Sequence, residues 1–159
     1  MNRTYLQILI DTLRKKQEIM EELYRLTQVQ SEILGQMDFD EDAFEETLQK
    51  KEIRIRELQK CDEGFDRTYQ YVREELLEKK ELYQEEGRKL QELIRACTEA
   101  GIRMESLEQQ NKARFERAVF RKRQSIGQFY VKNQVAHTYN RYMVNQHQEG
   151  NSYFMDKKK

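Results

Sequence analysis

One apolar row constrains this chain more than any other feature. Phe44, Leu48, Lys51, Ile55, Leu58, Asp62, Phe65, Tyr69, Val72 and Leu76 follow one another in alternating steps of four and three residues. That period is the seam of a long helix lying against another helix. None of the 159 residues is proline and only 6 are glycine. A β-sandwich or barrel needs frequent turns, and turns draw on Pro and Gly. The chain is 37% hydrophobic and 36% charged, against an apolar share of roughly 45–50% in compact globular chains. Helices that each bury one stripe satisfy these facts together. The expectation is an all-α fold of three long antiparallel helices in a coiled-coil-like bundle, followed by a polar flexible C-terminal tail.

The first helix is expected over about 3–36. Leu6, Leu9, Leu13, Lys16, Met20, Leu23, Thr27, Gln30 and Leu34 form its row, and Ile19, Leu23, Leu26, Ile33 and Met37 widen it. Gly35 stands where such a helix should stop. The acidic break at 37–42 offers Asp38 or Asp40 as a cap, and Asp42 with Glu45 has capping-box spacing. The second helix is expected over 41–79. Gly64 weakens it, and a break at Cys61–Asp66 is the alternative reading. The next turn falls near 79–82, and the third helix over 82–131.

That third helix carries Leu90, Leu93, Cys97, Ala100, Met104, Leu107, Asn111, Arg114 and Ala118. Its apolar character fades after Leu107. A second stripe then opens on another face: Phe115, Val119, Ile126, Phe129 and Tyr130. Either the helix leaves one packing partner for another, or it kinks or packs in a looser register. Residues 1–133 thus read as one helical domain. Residues 134–159 read as a polar, mobile tail with scattered aromatics. Eight of the 16 aromatic residues lie in 115–154, and large rings outside a strong core pattern serve as recognition anchors.

The net charge is zero, yet residues 1–92 hold 16 Lys/Arg against 23 Asp/Glu, and residues 93–159 hold 13 against 6. The basic half suits nucleic acid, a membrane surface, an acidic protein, or simply the acidic face of a neighbouring helix. No run approaches the roughly 18–20 apolar residues that span a bilayer, so no membrane insertion is expected. The N-terminus lacks a signal-peptide pattern. Cys61 and Cys97 are 36 residues apart with no CxxC, which reads as two reduced thiols.

Catalysis requires a positioned base or nucleophile in a water-poor site. The two histidines, His137 and His147, match no metal spacing on one helical face. Glu74/Glu78 and Glu81/Glu85 are repulsive i,i+4 pairs rather than a tuned acid–base couple. No Glu-x-x-His di-iron motif and no Gly-rich phosphate loop occurs. The expectation is no enzyme, no metal and no cofactor. Arg114–Arg123 is the best nucleic-acid candidate, since it sets aromatics among cations, but no recognition motif frames it. No nucleic acid is expected.

Phe39–Phe65 reads FDEDAFEETLQKKEIRIRELQKCDEGF. A long leading helix, a short acidic break and this segment resemble the FlgN/FliT type of bacterial flagellar export chaperone. Leu107–Asn111 and Ser152–Lys158 look like the longer FlgN-like proteins of Gram-positive bacteria. The resemblance implies a cytoplasmic, non-enzymatic, all-helical chaperone, monomeric or weakly dimeric. Its partners would be the hook–filament junction proteins or the filament cap protein, and the export gate or export ATPase complex. The family's C-terminal helix meets the client, which here falls on Phe115, Val119, Ile126, Phe129 and Tyr130. A tyrosine near the family's C-terminus contacts the export gate, and Tyr142, then Tyr139, is its counterpart here. A self-associating coiled coil or adaptor is the competing class.

Overall fold

The computed structural model of the chain describes residues 3–126. It contains three long helices: α1 (Arg3–Leu34), α2 (Glu41–Glu78) and α3 (Gln84–Ile126). At 1.5 Å rise per residue they are about 48, 57 and 64 Å long. α1 is the central element. It packs along both α2 and α3, whose backbones scarcely approach each other. The start of α1 meets the end of α2 and the start of α3, so α1 and α2 are antiparallel and α3 runs back alongside α1.

Local chemistry places the ends. Leu34 closes α1 two residues earlier than the expected bound. The Gly35 N–H donates to the Ser31 and Glu32 carbonyls at 3.0 and 3.2 Å. Met37 therefore sits in the connection, 97% exposed, instead of extending the buried row. Asp40 is the cap of α2, its carboxylate accepting from the Ala43 N–H at 3.1 Å. Asp42 lies in the first turn with Glu41, facing the positive end of the helix dipole, and does not itself cap. α2 runs unbroken through Cys61–Asp66. The helix absorbs Gly64, because packing of the flanking Cys61 and Phe65 outweighs a propensity cost of about 1 kcal/mol. Lys79 ends α2 with its N–H on the Glu75 carbonyl at 2.8 Å, and the chain turns through Tyr83.

The core lies in three successive blocks along α1. The first joins Leu6, Leu9 and Leu13 to Phe65, Tyr69, Val72, Tyr83 and Leu90. The second joins Ile19, Met20 and Leu23 to Ile55, Leu58, Cys61, Cys97, Ala100 and Met104. The third joins Ile33 and Leu34 to Phe39, Phe44, Leu48 and Ala118. The row read from α2 is the seam, with Leu58 and Val72 fully buried. Ion pairs mark the boundaries between blocks. Lys16 and Asp62, 2.7 Å apart, lie between the first and second, and Lys51 and Glu108 between the second and third.

Candidate interaction surface

The chain fades to polar after Leu107, but α3 does not leave α1 there. Asn111 is buried, and its side-chain amide donates to the Thr27 carbonyl at 2.9 Å. Its amide oxygen accepts from the Ser31 hydroxyl at 2.6 Å and from Arg114 at 2.9 Å. Ala118, two turns on, is 1% exposed against the third block. Of the readings open from sequence, departure from the partner is not what occurs. A hydrogen-bonded layer replaces apolar packing for about one turn, and apolar packing then resumes.

At the centre of this layer is Lys51, 2% exposed. Its ammonium pairs with the Glu108 carboxylate and donates to the Gln30 side-chain oxygen at 2.8 Å. The Gln30 amide in turn donates to the Thr47 hydroxyl at 3.0 Å. Loss of hydration on burial pushes Lys51 below its ordinary pKa, and the neighbouring Glu108 opposes that shift. The signal was present in sequence as polar residues at seam positions of all three helices, namely Gln30, Lys51 and Asn111.

The third block closes the bundle beyond this layer. Phe44 stacks on Phe115 with ring centres 5.3 Å apart and 23° between planes. Phe39 meets Phe44 edge-on at 6.1 Å. Lys122 lies 4.8 Å from the centre of the Phe39 ring, 3.1 Å from Asp38 and 3.5 Å from Glu41. The α1–α2 connection therefore holds the last turns of α3. Capture of Lys122 by carboxylates, and of Arg114 by Asn111, diverts part of the basic run from any external phosphate.

Of the residues singled out on this stripe, Phe115 and Val119 come together one turn apart, both half-buried. Ile126 is the last residue of α3. Phe129, Tyr130, Tyr139 and Tyr142 lie outside the described residues, as do both histidines and the segment read as a tail. Phe120, not singled out, is 62% exposed, with Glu116, Arg117 and Arg123 at neighbouring helical positions. Its departure from the Phe115–Val119 spacing hid it.

Cys61 and Cys97 are buried free thiols. Burial pushes Cys61 up, and pushes Cys97 up to about 11, away from the thiolate form that reacts or binds metal. Among the described residues no group of His, Cys, Asp and Glu is arranged to hold a metal ion, and no helix is long and apolar enough to cross a membrane.

No curated protein and no solved structure matches this chain. A family model does, the FlgN protein model, over residues 1–145. That match takes in all three helices, the layered seam between them and the stripe on α3. The chain belongs to the FlgN family, a family of flagellar export chaperones.

Proposed function

We propose that this protein binds the C-terminal helices of flagellar hook–filament junction proteins in the cytoplasm. Binding prevents premature polymerisation, and the protein then delivers its clients to the flagellar type III export apparatus. A subunit that polymerises through a terminal helix exposes an apolar stripe before assembly, and a complementary face covers it by helix-in-groove contact. The observation that carries the reading is a family match spanning a helix whose last described turns leave Val119 half-buried and Phe120 exposed. Phe115, Val119 and Ile126 contribute to the docking face, with Phe129 and Tyr130 beyond them. Basic neighbours such as Arg117 and Arg123 steer an acidic client segment and act on association rate. Tyr142, with Tyr139 as second candidate, docks at the export gate. The free protein is monomeric or weakly dimeric.

Phe115 also stacks on Phe44, so its removal perturbs the bundle. The cleaner test is Val119→Glu and Phe120→Ala, read by calorimetry against a synthetic C-terminal helix of a junction protein, with thermal melts in parallel. The expected result is an unchanged melt and affinity reduced by at least about tenfold for Val119→Glu. Unchanged affinity in both variants contradicts the assignment. Tight self-association of the free protein favours the adaptor class instead.

A further inference from the structure

At the opposite end of the bundle the second and third helices stand apart and leave a cleft of about 380 Å³ beside the turn that joins them. Phe65, Tyr69, Tyr83 and Leu90 are its buried apolar lining, flanked by Leu76 and Ile94. The volume falls in the roughly 300–1,000 Å³ range of ligand clefts. Counting 1.5 Å per residue along α3, Ile94 lies about 30 Å from Phe115, so this is a separate place from the face assigned above, and the inference does not rest on that assignment.

Two observations say what fits it. Lys80 and Arg88 are the only charged residues that line the cleft, and neither forms an ion pair among the described residues. Among the described residues no carboxylate lines it, although Glu78, Glu81 and Glu85 crowd the same turn in sequence. Gly87 also lines it, inside a helix, where a Cβ would meet nothing within 4 Å. No packing among the described residues explains that glycine, which carries a helix-propensity cost. It leaves a flat wall on which a second helix can lie close. The chain's own segment after Ile126 holds 5 Lys/Arg against 2 Asp/Glu, which is the wrong sign to complement Lys80 and Arg88.

We propose that this cleft docks a short amphipathic helix of a partner protein, one bearing carboxylates at the edge of its apolar face. The apolar side chains enter against Phe65, Tyr69 and Leu90, and the carboxylates meet Lys80 and Arg88.

The test is fluorescence polarisation of the full chain with two labelled synthetic amphipathic peptides. Both carry leucines at helical spacing along one face. One has glutamates beside them, and the other has lysines. The glutamate peptide binds, and the lysine peptide binds at least about tenfold more weakly. The double variant Lys80→Glu/Arg88→Glu reverses that preference. Gly87→Trp fills the cleft and abolishes binding, with the thermal midpoint unchanged or raised. Val119→Glu, at the other end, leaves binding unchanged. Equal affinity for the two peptides overturns the proposal, as does full binding by Gly87→Trp, loss of binding in Val119→Glu, or no binding of either peptide.

Discussion

Two lysine–carboxylate pairs cross this bundle, and they do so in different surroundings. Lys16 and Asp62 meet at 2.7 Å with their side chains 14% and 17% exposed. Lys51 and Glu108 have 3% and 11% exposure. Water still reaches the first pair, so either member can be lost and the other rehydrated. The second pair has no such recourse, and it is accompanied by Gln30, Thr27 and Thr47 as further hydrogen-bonding groups. A charge is tolerated in the core only where its partners are supplied in advance. Those partners come from all three helices, so sliding α3 by one turn along α1 would strand Lys51. The layer therefore ties the register of α3 to that of α1 and α2, and with it the position of the α3 face beyond.

The largest effect that would break this contrast is at Glu108. Glu108→Leu leaves Lys51 buried without its carboxylate and is expected to cost about 3–5 kcal/mol in denaturant unfolding at neutral pH. Adding Lys51→Met should restore most of that loss, since an apolar pair of similar volume needs no partner. The sign with pH is fixed. With its folded pKa driven further below the ordinary 10.5, Lys51 binds fewer protons folded than unfolded. Stability of Glu108→Leu should then rise as pH climbs toward 10.5. A flat profile would mean that water reaches Lys51.

Cys97, packed in the second block between the two pairs, gives a smaller effect. Burial raises its pKa from 9.0 to about 11. The folded thiol therefore keeps its proton longer than the unfolded one. Between pH 9 and 11 the unfolded chain binds fewer protons and stability falls with pH, by about 2–3 kcal/mol in all. The measurement is the difference between the native chain and Cys97→Ala across that window, which cancels the contribution of Lys51. The smallest effect is at the less deeply buried pair: Asp62→Asn should cost about 1–3 kcal/mol. A loss as large as that of Glu108→Leu would erase the distinction between the pairs.

Much of this architecture was legible in the residues. The seam of α2 and the row of α1 followed from spacing alone, because a helix with one buried face writes its period into the chain, whereas the turn after α2 carried no Pro or clean Gly signal of its own. The sequence offered Asp38, Asp40 and, by capping-box spacing with Glu45, Asp42 as the cap of α2, and side-chain geometry decides for Asp40. What spacing does not carry is pairing across helices. Lys51, Gln30 and Asn111 stood at seam positions, but that Lys51 meets Gln30 and Glu108, and Asn111 meets Thr27 and Ser31, depends on the relative register of three helices. The same gap left the polar turn after Leu107 open between a change of partner and a kink or looser register. It also left unseen that Phe115 stacks on Phe44, a residue 71 positions away in sequence. Phe120 lies outside any seam and had no periodic signal, while the cleft beside Gly87 is lined partly by seam residues, Phe65, Tyr69 and Leu90, and opens because α2 and α3 stand apart, which spacing does not carry.

The central claim, that the last turns of α3 present the docking face, is tested most directly by hydrogen exchange. Amide protection is compared for the full chain alone and with a synthetic C-terminal helix of a hook–filament junction protein. The account predicts added protection concentrated over residues 112–126 of α3, with little change over residues 84–94 beside the cleft. Protection confined to α1 and α2, or absent from 112–126 while the peptide is bound, would contradict it.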